Sequence, residues 1–276
     1  MSVRKFWLTN GTLQNGVLIQ YELTKPSSKA FLNNPVGLGF AQTLETTQYD
    51  NTMKSVEGQN FPQIQGEVVF VDSKNSDRYD KYNKFVEFLT HSPLVLHYQI
   101  PKAAAEEYMM NVAVVSLEKT ETKPNGILSC SITLQCLSRW KGLEVAVAGT
   151  SATYTLTNNG HMPCGFVIEI DGTAMVNPYF TLEQNSELYG EAKFTDATGF
   201  SSVSVNSNDG EQNIILEQGG SVLPNPLLYQ DLSISNGAIY VTFIKLARGT
   251  STLTIGMDSG SLTGVLIKYT PLYRSV

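Results

Sequence analysis

Between Thr153 and Tyr269 the chain is cut by turn signals: Asn158-Asn-Gly160, Asp171-Gly172, Asn208-Asp-Gly210, Asn236-Gly237 and Asp258-Ser-Gly260. Asn, Asp and Gly tolerate the positive φ of tight hairpins, and no apolar pattern between these points keeps a helical period. The intervening segments are short, β-branched or alternating. Strands are therefore expected at Thr153–Thr157, Gly165–Asp171, Tyr179–Glu183, Glu187–Phe194, Ser201–Asn206, Asn213–Glu217, Ala238–Leu246, Ser251–Gly256 and Gly264–Tyr269. Many short strands at regular spacing leave few solutions, and an antiparallel sandwich or jelly roll is the expected one.

The first half reads differently. Arg4–Thr9, the turn-rich stretch 10–16 with its two Asn-Gly pairs, and Val17–Leu23 predict two strands joined as a hairpin. From Thr24 to Gly66 the chain is polar and carries Pro26, Pro35 and Pro62, which suits irregular strands plus an extended arm. Glu67–Asp72 returns as a strand. Over Ser76–Thr90, Tyr79, Tyr82, Phe85, Val86 and Leu89 recur at spacings of three and four and predict the chain's one convincing helix. Ser76 or Asp77 is suited to cap it, and Pro93 prevents its continuation. Strands are expected again over Leu94–Ile100, Tyr108–Glu118 and Gly126–Leu137.

Charge divides the chain at the same place as composition. Residues 1–142 carry 14 basic and 13 acidic side chains, a net of +1, whereas residues 143–276 carry 5 and 12, a net of −7. Both tryptophans, Trp7 and Trp140, precede the break. Two domains, 1–142 and 143–276, follow from this; the alternative is one large β domain whose residues happen to segregate. The total of −6 argues against a general nucleic-acid binder, which needs surplus cations to displace phosphate counterions. No run approaches the roughly 18–20 apolar residues of a membrane helix. The N-terminal Met1-Ser-Val-Arg-Lys-Phe-Trp-Leu8 has no apolar signal-peptide core. A soluble, cytosolically made chain without membrane insertion is expected.

Few residues are suited to chemistry. The histidines are His91, His97 and His161. His91 falls where the helix meets the next strand, His97 lies mid-strand as a filler, and His161 with Cys164 is a loose match to metal spacing without a second pair. Cys130 and Cys136 share one face of a predicted strand at about 20 Å, too far apart for a disulfide. No Gly-x-Ser-x-Gly elbow or phosphate loop is present, and Gly37-Leu-Gly39 reads as a tight turn. Catalytic residues, cofactors and metals are accordingly not assigned. Residues 143–276 hold no Trp to stack on a sugar; Tyr154, Tyr179, Tyr189, Tyr229, Tyr240 and Tyr273 are the available substitutes, several of them needed for the core.

Five segments in order carry a family likeness: Arg4-Lys-Phe-Trp-Leu-Thr-Asn10; Phe31-Leu-Asn-Asn-Pro-Val-Gly-Leu-Gly-Phe40; Tyr79–Thr90 followed by Ser92-Pro-Leu-Val-Leu-His-Tyr98; Glu118-Lys-Thr-Glu121 leading to Leu137-Ser-Arg-Trp140; and Phe243–Thr254. Together they resemble the phage distal tail (Dit) proteins, hubs of long non-contractile tails in phages of Gram-positive bacteria. A hub from a prophage or a tail-derived bacteriocin would share the pattern. The resemblance implies an N-terminal β domain with one helix, six copies of which close a ring, and a C-terminal galectin-like or carbohydrate-module-like sandwich that projects outward for docking. Thr24–Gly66 would be the arm that embraces the neighbouring subunit. The partners implied are the chain itself as a homohexamer, the tail tube protein, the tail-tip (tail-associated) protein and the receptor-binding protein. The location implied is the virion tail tip after synthesis in the host bacterial cytoplasm, with no direct nucleic-acid recognition. Phe31, Leu38 and Phe40 are the candidate subunit-interface residues, and Leu227, Leu228 and Tyr229, costly to expose singly, the candidate docking residues. The alternative function is a carbohydrate-binding module recognising host cell-wall sugars; a carboxylate-pair hydrolase ranks below both.

Overall fold

The computed structural model describes residues 4–24, 30–39, 43–49, 52–58, 61–71, 75–100, 106–120, 128–194, 198–222, 232–233 and 243–276. The fold is mostly β, with antiparallel sheets and, among the described residues, one helix. The chain separates into two compact units, residues 1–142 with 273–276, and residues 143–272. The first break falls where the charge changes. The last four residues, expected in the second domain, join the first unit, where the Tyr273 ring meets Tyr108 edge-on at 5.0 Å.

The first unit contains β1 (Lys5–Gln14), β2 (Val17–Glu22), β3 (Ala30–Val36), β4 (Thr43–Tyr49), β5 (Thr52–Gly58), β6 (Gln63–Phe70), α1 (Asn75–Leu89), β7 (Leu94–Ile100), β8 (Glu106–Thr120), β9 (Leu128–Cys136) and β10 (Trp140–Lys141). The main sheet runs β2-β1-β7-β8-β9-β6-β3, with β10 paired to β8, while β4 and β5 form a hairpin of their own. Asn15 and Gly16, with φ of 54° and 78°, close β1 onto β2 with Gln14 opposite Val17. Two consecutive positive φ values are what a two-residue hairpin loop requires. Asn10-Gly11 does not belong to that turn: it lies inside β1, where the register shifts between Thr9 and Leu13.

The buried faces of β1, β6, β7, β8 and β9 place Phe6, Leu8, Val68, Leu96, Met110 and Ile132 in one core. Leu23 N donates to Phe6 O at 2.8 Å and Leu32 N to Leu23 O at 2.9 Å. These bonds bring the start of β3 to the end of β2 and curl the sheet into a half-barrel. Helix α1 covers it with Tyr79, Tyr82, Phe85, Phe88 and Leu89. Phe85 and Phe88 are the buried residues of the helix, while the expected Val86 is only half-buried with Tyr79, Tyr82 and Leu89. Asn10 Nδ2 donates to Phe88 O at 3.1 Å and satisfies a carbonyl at the helix end. The Lys119 ammonium lies 4.9 Å and 5.7 Å from the Tyr79 and Tyr82 rings. The helix begins at Asn75, so Ser76 and Asp77 fall inside its first turn, where the Asp77 carboxylate complements the positive end of the dipole.

The second unit contains β11 (Val145–Gly149), β12 (Thr153–Asn158), β13 (Phe166–Val176), β14 (Tyr179–Gln184), β15 (Glu187–Phe194), β16 (Thr198–Asn206), β17 (Asn213–Gln218), β18 (Ser221–Val222), β19 (Leu232–Ser233), β20 (Gly249–Gly256) and β21 (Ser259–Tyr269). One sheet runs β11-β21-β13-β16-β17-β18 and the other β12-β20-β14-β15-β19. Their inner faces share one core, with Phe166 and Phe180 in edge contact at 5.9 Å. Of the expected strand Ala238–Leu246, residues 238–242 lie outside the described residues and Phe243–Leu246 is not a strand; only a bridge joins Leu246 to Cys164. Buried Asn158 fixes the neighbouring turn: Nδ2 donates to Met162 O at 2.9 Å and to Leu246 O at 3.2 Å, and Oδ1 accepts from Gly160 N at 2.9 Å.

Candidate assembly surfaces

Among the described residues, β2 and β3 end the main sheet of the first unit, and they are unlike each other. The β1–β2 hairpin extends past its neighbour, because β7 pairs with β1 only from Lys5 to Thr9. Its outer part exposes Leu13 (62%), Val17 (66%) and Leu18 (45%) within a few residues. A two-stranded ribbon with its apolar residues in water is marginal by itself, and an unpaired edge is a template for another chain. At the other end, β3 alternates: Ala30 and Leu32 enter the core, while Phe31 lies half-buried on the opposite face and Val36 is 59% exposed. A cleft of about 450 Å³ lies here, lined by Arg4, Phe6 and Leu32–Val36.

Gly37 sets the path by which the chain leaves β3. Its φ is +87°, and a Cβ there would stand 1.9 Å from Gln63 O. This close passage against the start of β6 steers Leu38 back onto the core of its own unit. Of the three expected interface residues, then, Phe31 lies on an end strand, Leu38 is half-buried in the unit's own packing, and Phe40 lies outside the described residues. Leu227, Leu228 and Tyr229 lie outside them too. The exposed hairpin tip was not singled out in the sequence; its signal is the pair Val17-Leu18 directly after Asn15-Gly16, two apolar residues at a turn exit where alternation would place one.

His97 is more than a filler. It is buried on the sheet face opposite the main core, stacked on Trp7 at 5.0 Å between ring centroids. Its Nδ1 lies 3.0 Å from Glu107 Oε1 and its Nε2 3.1 Å from Thr9 Oγ1. A carboxylate only accepts, so Nδ1 carries the proton and Nε2 accepts from the Thr9 hydroxyl. Burial lowers the His97 pKa below its usual 6.5, against the opposing pull of the Glu107 carboxylate. The unfolded chain therefore takes up this proton first. The stability contributed by neutral His97 is complete above pH 6.5 and is lost as the pH falls below it. Urea unfolding followed by Trp fluorescence is expected to show a smaller loss between pH 7.5 and 5.5 in His97→Gln than in the unaltered chain. Equal losses would remove His97 as the cause.

Cys130, Cys136 and Cys164 are free and buried, and burial pushes their thiols up to about 12, 11 and 11. Thiols so far from ionisation are core hydrophobes, not nucleophiles. His91 Nδ1 lies 3.0 Å from Glu87 O at the end of α1. Among the described residues no group of three or more His, Cys, Asp or Glu side chains is placed to hold a metal ion, so His161 and Cys164 do not form part of one. No helix among them is long and apolar enough to cross a membrane.

The model of the distal tail protein N-terminal domain matches residues 5–137, covering the curled sheet and its helix almost from end to end. The first domain of this chain is a distal tail (Dit) protein domain. The chain is thus a structural component of a phage tail. The Dit fold extends beyond the matched domain. The crystal structure of the SPP1 Dit protein (gp 19.1), described as a paradigm of the hub adsorption apparatus in phages infecting Gram-positive bacteria, is 13% identical with a TM-score of 0.63, covering 96% of this chain and 98% of that one. A chain of the phage P2 baseplate in its activated conformation with calcium is 13% identical with a TM-score of 0.55, covering 99% and 100%. The phage p2 baseplate with strontium gives 12% and 0.55. No curated protein sequence matches.

Proposed function

We propose that this protein is the ring-forming hub at the end of a phage tail, joining the tail tube to the tail-tip and receptor-binding apparatus. The observation that carries the reading is the pair of unlike sheet ends in the first unit, β2 with its exposed hairpin and β3 with Phe31 and Val36. A closed ring uses one head-to-tail interface repeated, which needs two different surfaces on each copy. Charge supports the same arrangement. Residues 1–142, at +1, pack around an axis without mutual repulsion, whereas the −7 of residues 143–276 is better tolerated at the periphery. The second unit then serves as the outward docking sandwich, and the hub works without catalysis. The description of the SPP1 relative as a hub adsorption apparatus agrees with this role.

Light scattering with negative-stain imaging tests it. Six copies of the 30.3 kDa chain amount to about 182 kDa, and particles of that mass with a central hole are expected. The double variant Val17→Lys, Leu18→Lys is expected to run as a folded monomer, because a charge at the core of an interface is strongly disfavoured. Rings that persist in the variant would exclude the hairpin as the contact. A monomer of the unaltered chain in the presence of the tail tube protein would overturn the hub.

A further inference from the structure

The chain holds five Asn-Gly pairs, and three lie among the described residues: Asn10-Gly11, Asn15-Gly16 and Asn159-Gly160. An asparagine before glycine loses its side-chain amide when the next backbone nitrogen reaches its Cγ, because glycine has no Cβ to obstruct the approach. Two of the three pairs are held out of this reaction. The buried Asn10 carboxamide is pinned at both ends: Nδ2 donates to Phe88 O at 3.1 Å and Oδ1 accepts from Thr12 N at 3.2 Å. In the third pair the attacking nitrogen is itself engaged, since Gly160 N donates to Asn158 Oδ1 at 2.9 Å. Gly160 is also packed so closely that a Cβ there would stand 2.6 Å from Leu272 O. Asn15 and Gly16, by contrast, are both exposed, and a Cβ on Gly16 would meet nothing within 4 Å. No described residue bonds to the Asn15 carboxamide.

We infer that Asn15-Gly16 is a site of spontaneous deamidation, and that the modified chain drops out of ring assembly. Gly16 N gives its proton to solvent and bonds to Asn15 Cγ; the Cγ–Nδ2 bond breaks and ammonia leaves. Water then opens the resulting succinimide at either carbonyl, which yields aspartate or isoaspartate. The attack requires the two-residue loop to leave its hairpin geometry, and the fold permits this. β7 pairs with β1 only as far as Thr9, so beyond it the β1–β2 ladder alone holds the tip. Such a ribbon frays without opening the sheet behind it. Both products place a carboxylate beside exposed Leu13, Val17 and Leu18, and isoaspartate also lengthens the loop backbone by a methylene. The net charge of residues 1–142 falls by one, from +1 to 0. The loss of assembly rests on the hub reading, in which this apolar tip is a subunit contact that a carboxylate disfavours. The reaction itself does not depend on that reading.

The full-length protein is incubated warm in mildly alkaline buffer made with heavy-oxygen water, then digested and mapped by mass spectrometry. It is kept at a dilution where light scattering finds monomer; where rings persist, the Val17→Lys, Leu18→Lys variant takes its place. Asn15-Gly16 is expected to convert at least about tenfold faster than Asn10-Gly11 or Asn159-Gly160, whereas the three pairs react at similar rates in urea. Equal rates in the folded chain, or no conversion at Asn15-Gly16, overturn the inference. Asn15→Gln is expected to remove the product at this position, because its longer side chain must close a six-membered ring, which is far slower. Aged protein is next concentrated, separated by size, and each fraction mapped. The Asn15 product is expected to be at least about tenfold enriched in monomer over ring. An even distribution overturns the assembly half of the inference. Asn15→Asp, which adds the charge without lengthening the backbone, is expected to shift ring toward monomer while staying folded by circular dichroism. The mass of the fresh protein tests the hub by itself: without a ring, that reading and the assembly half fail together, while the peptide map still decides the reaction.

Discussion

Gly37→Ala is expected to lower the melting temperature of the first unit by about 10 °C, a loss of about 3 kcal/mol or more. Two costs combine. The residue holds a φ of +87°, which an L side chain adopts only under strain, and its new Cβ would collide with Gln63 O at 1.9 Å. The obstacle is backbone in a paired strand, not the end of a flexible side chain, so β3 must pull away from β6 to relieve it. Both tryptophans lie in residues 1–142, which makes Trp fluorescence a reporter of this unit alone. Gly39→Ala, two residues on in the same Pro35-Val-Gly-Leu-Gly39 element, meets nothing within 4 Å and is expected to change stability by no more than about 0.5 kcal/mol. Similar melting temperatures for the two variants would show that the close passage at Gln63 yields without cost. A large loss in Gly37→Ala would also locate any assembly defect of that variant in the fold, not in a lost contact surface.

In the second unit, Phe180→Ala is expected to cost about 3–5 kcal/mol. Phe180 is 1% exposed and lies between the two sheets against Phe166. Its neighbours Leu182, Leu253 and Ile255 belong to backbone ladders that fix their positions, so they cannot collapse into the space left by the ring. The slowest-exchanging amides of β14 and β20 are expected to lose protection by a factor of about 10² to 10³, measured by hydrogen exchange with mass spectrometry. A tenfold change or less would mean that the core repacks around the gap.

Local chemistry was legible in the sequence wherever one short segment settles its own conformation. Asn15-Gly16 closes a hairpin because both residues accept positive φ without help from elsewhere. Tyr79, Tyr82, Phe85 and Leu89 pack on one face of α1 because the helical period puts them there. The alternation Thr-Tyr-Thr-Leu-Thr over residues 153–157 sends Tyr154 and Leu156 inward because a strand has a period of two. One charge composition gives way to another at residue 142, where the chain also divides between its two compact units. The candidate surfaces were less legible. Phe31 is a candidate named only from its place in a family pattern, whereas the hairpin tip with Leu13, Val17 and Leu18 stands out only when β7 is seen to stop short of it.

The remaining features come from residues far apart in the chain. Gly37 is obligatory because of Gln63, and the Tyr179 ring fits where it does because residue 256, 77 positions away, is a glycine. His97 is buried between Thr9 and Glu107, partners that lie 88 and 10 positions from it on two other strands. Asn158 holds Leu246, and the C-terminal Tyr273 returns to Tyr108 in the first unit. Sequence by itself determined the elements of this protein, their apolar faces and its division by charge, because these follow from backbone preference and periodicity within a few residues. Tertiary structure alone decided which strands end the sheet, which histidine is enclosed and which tyrosine rests on a glycine of the neighbouring strand, because each depends on strand register between segments that sequence order does not bring together.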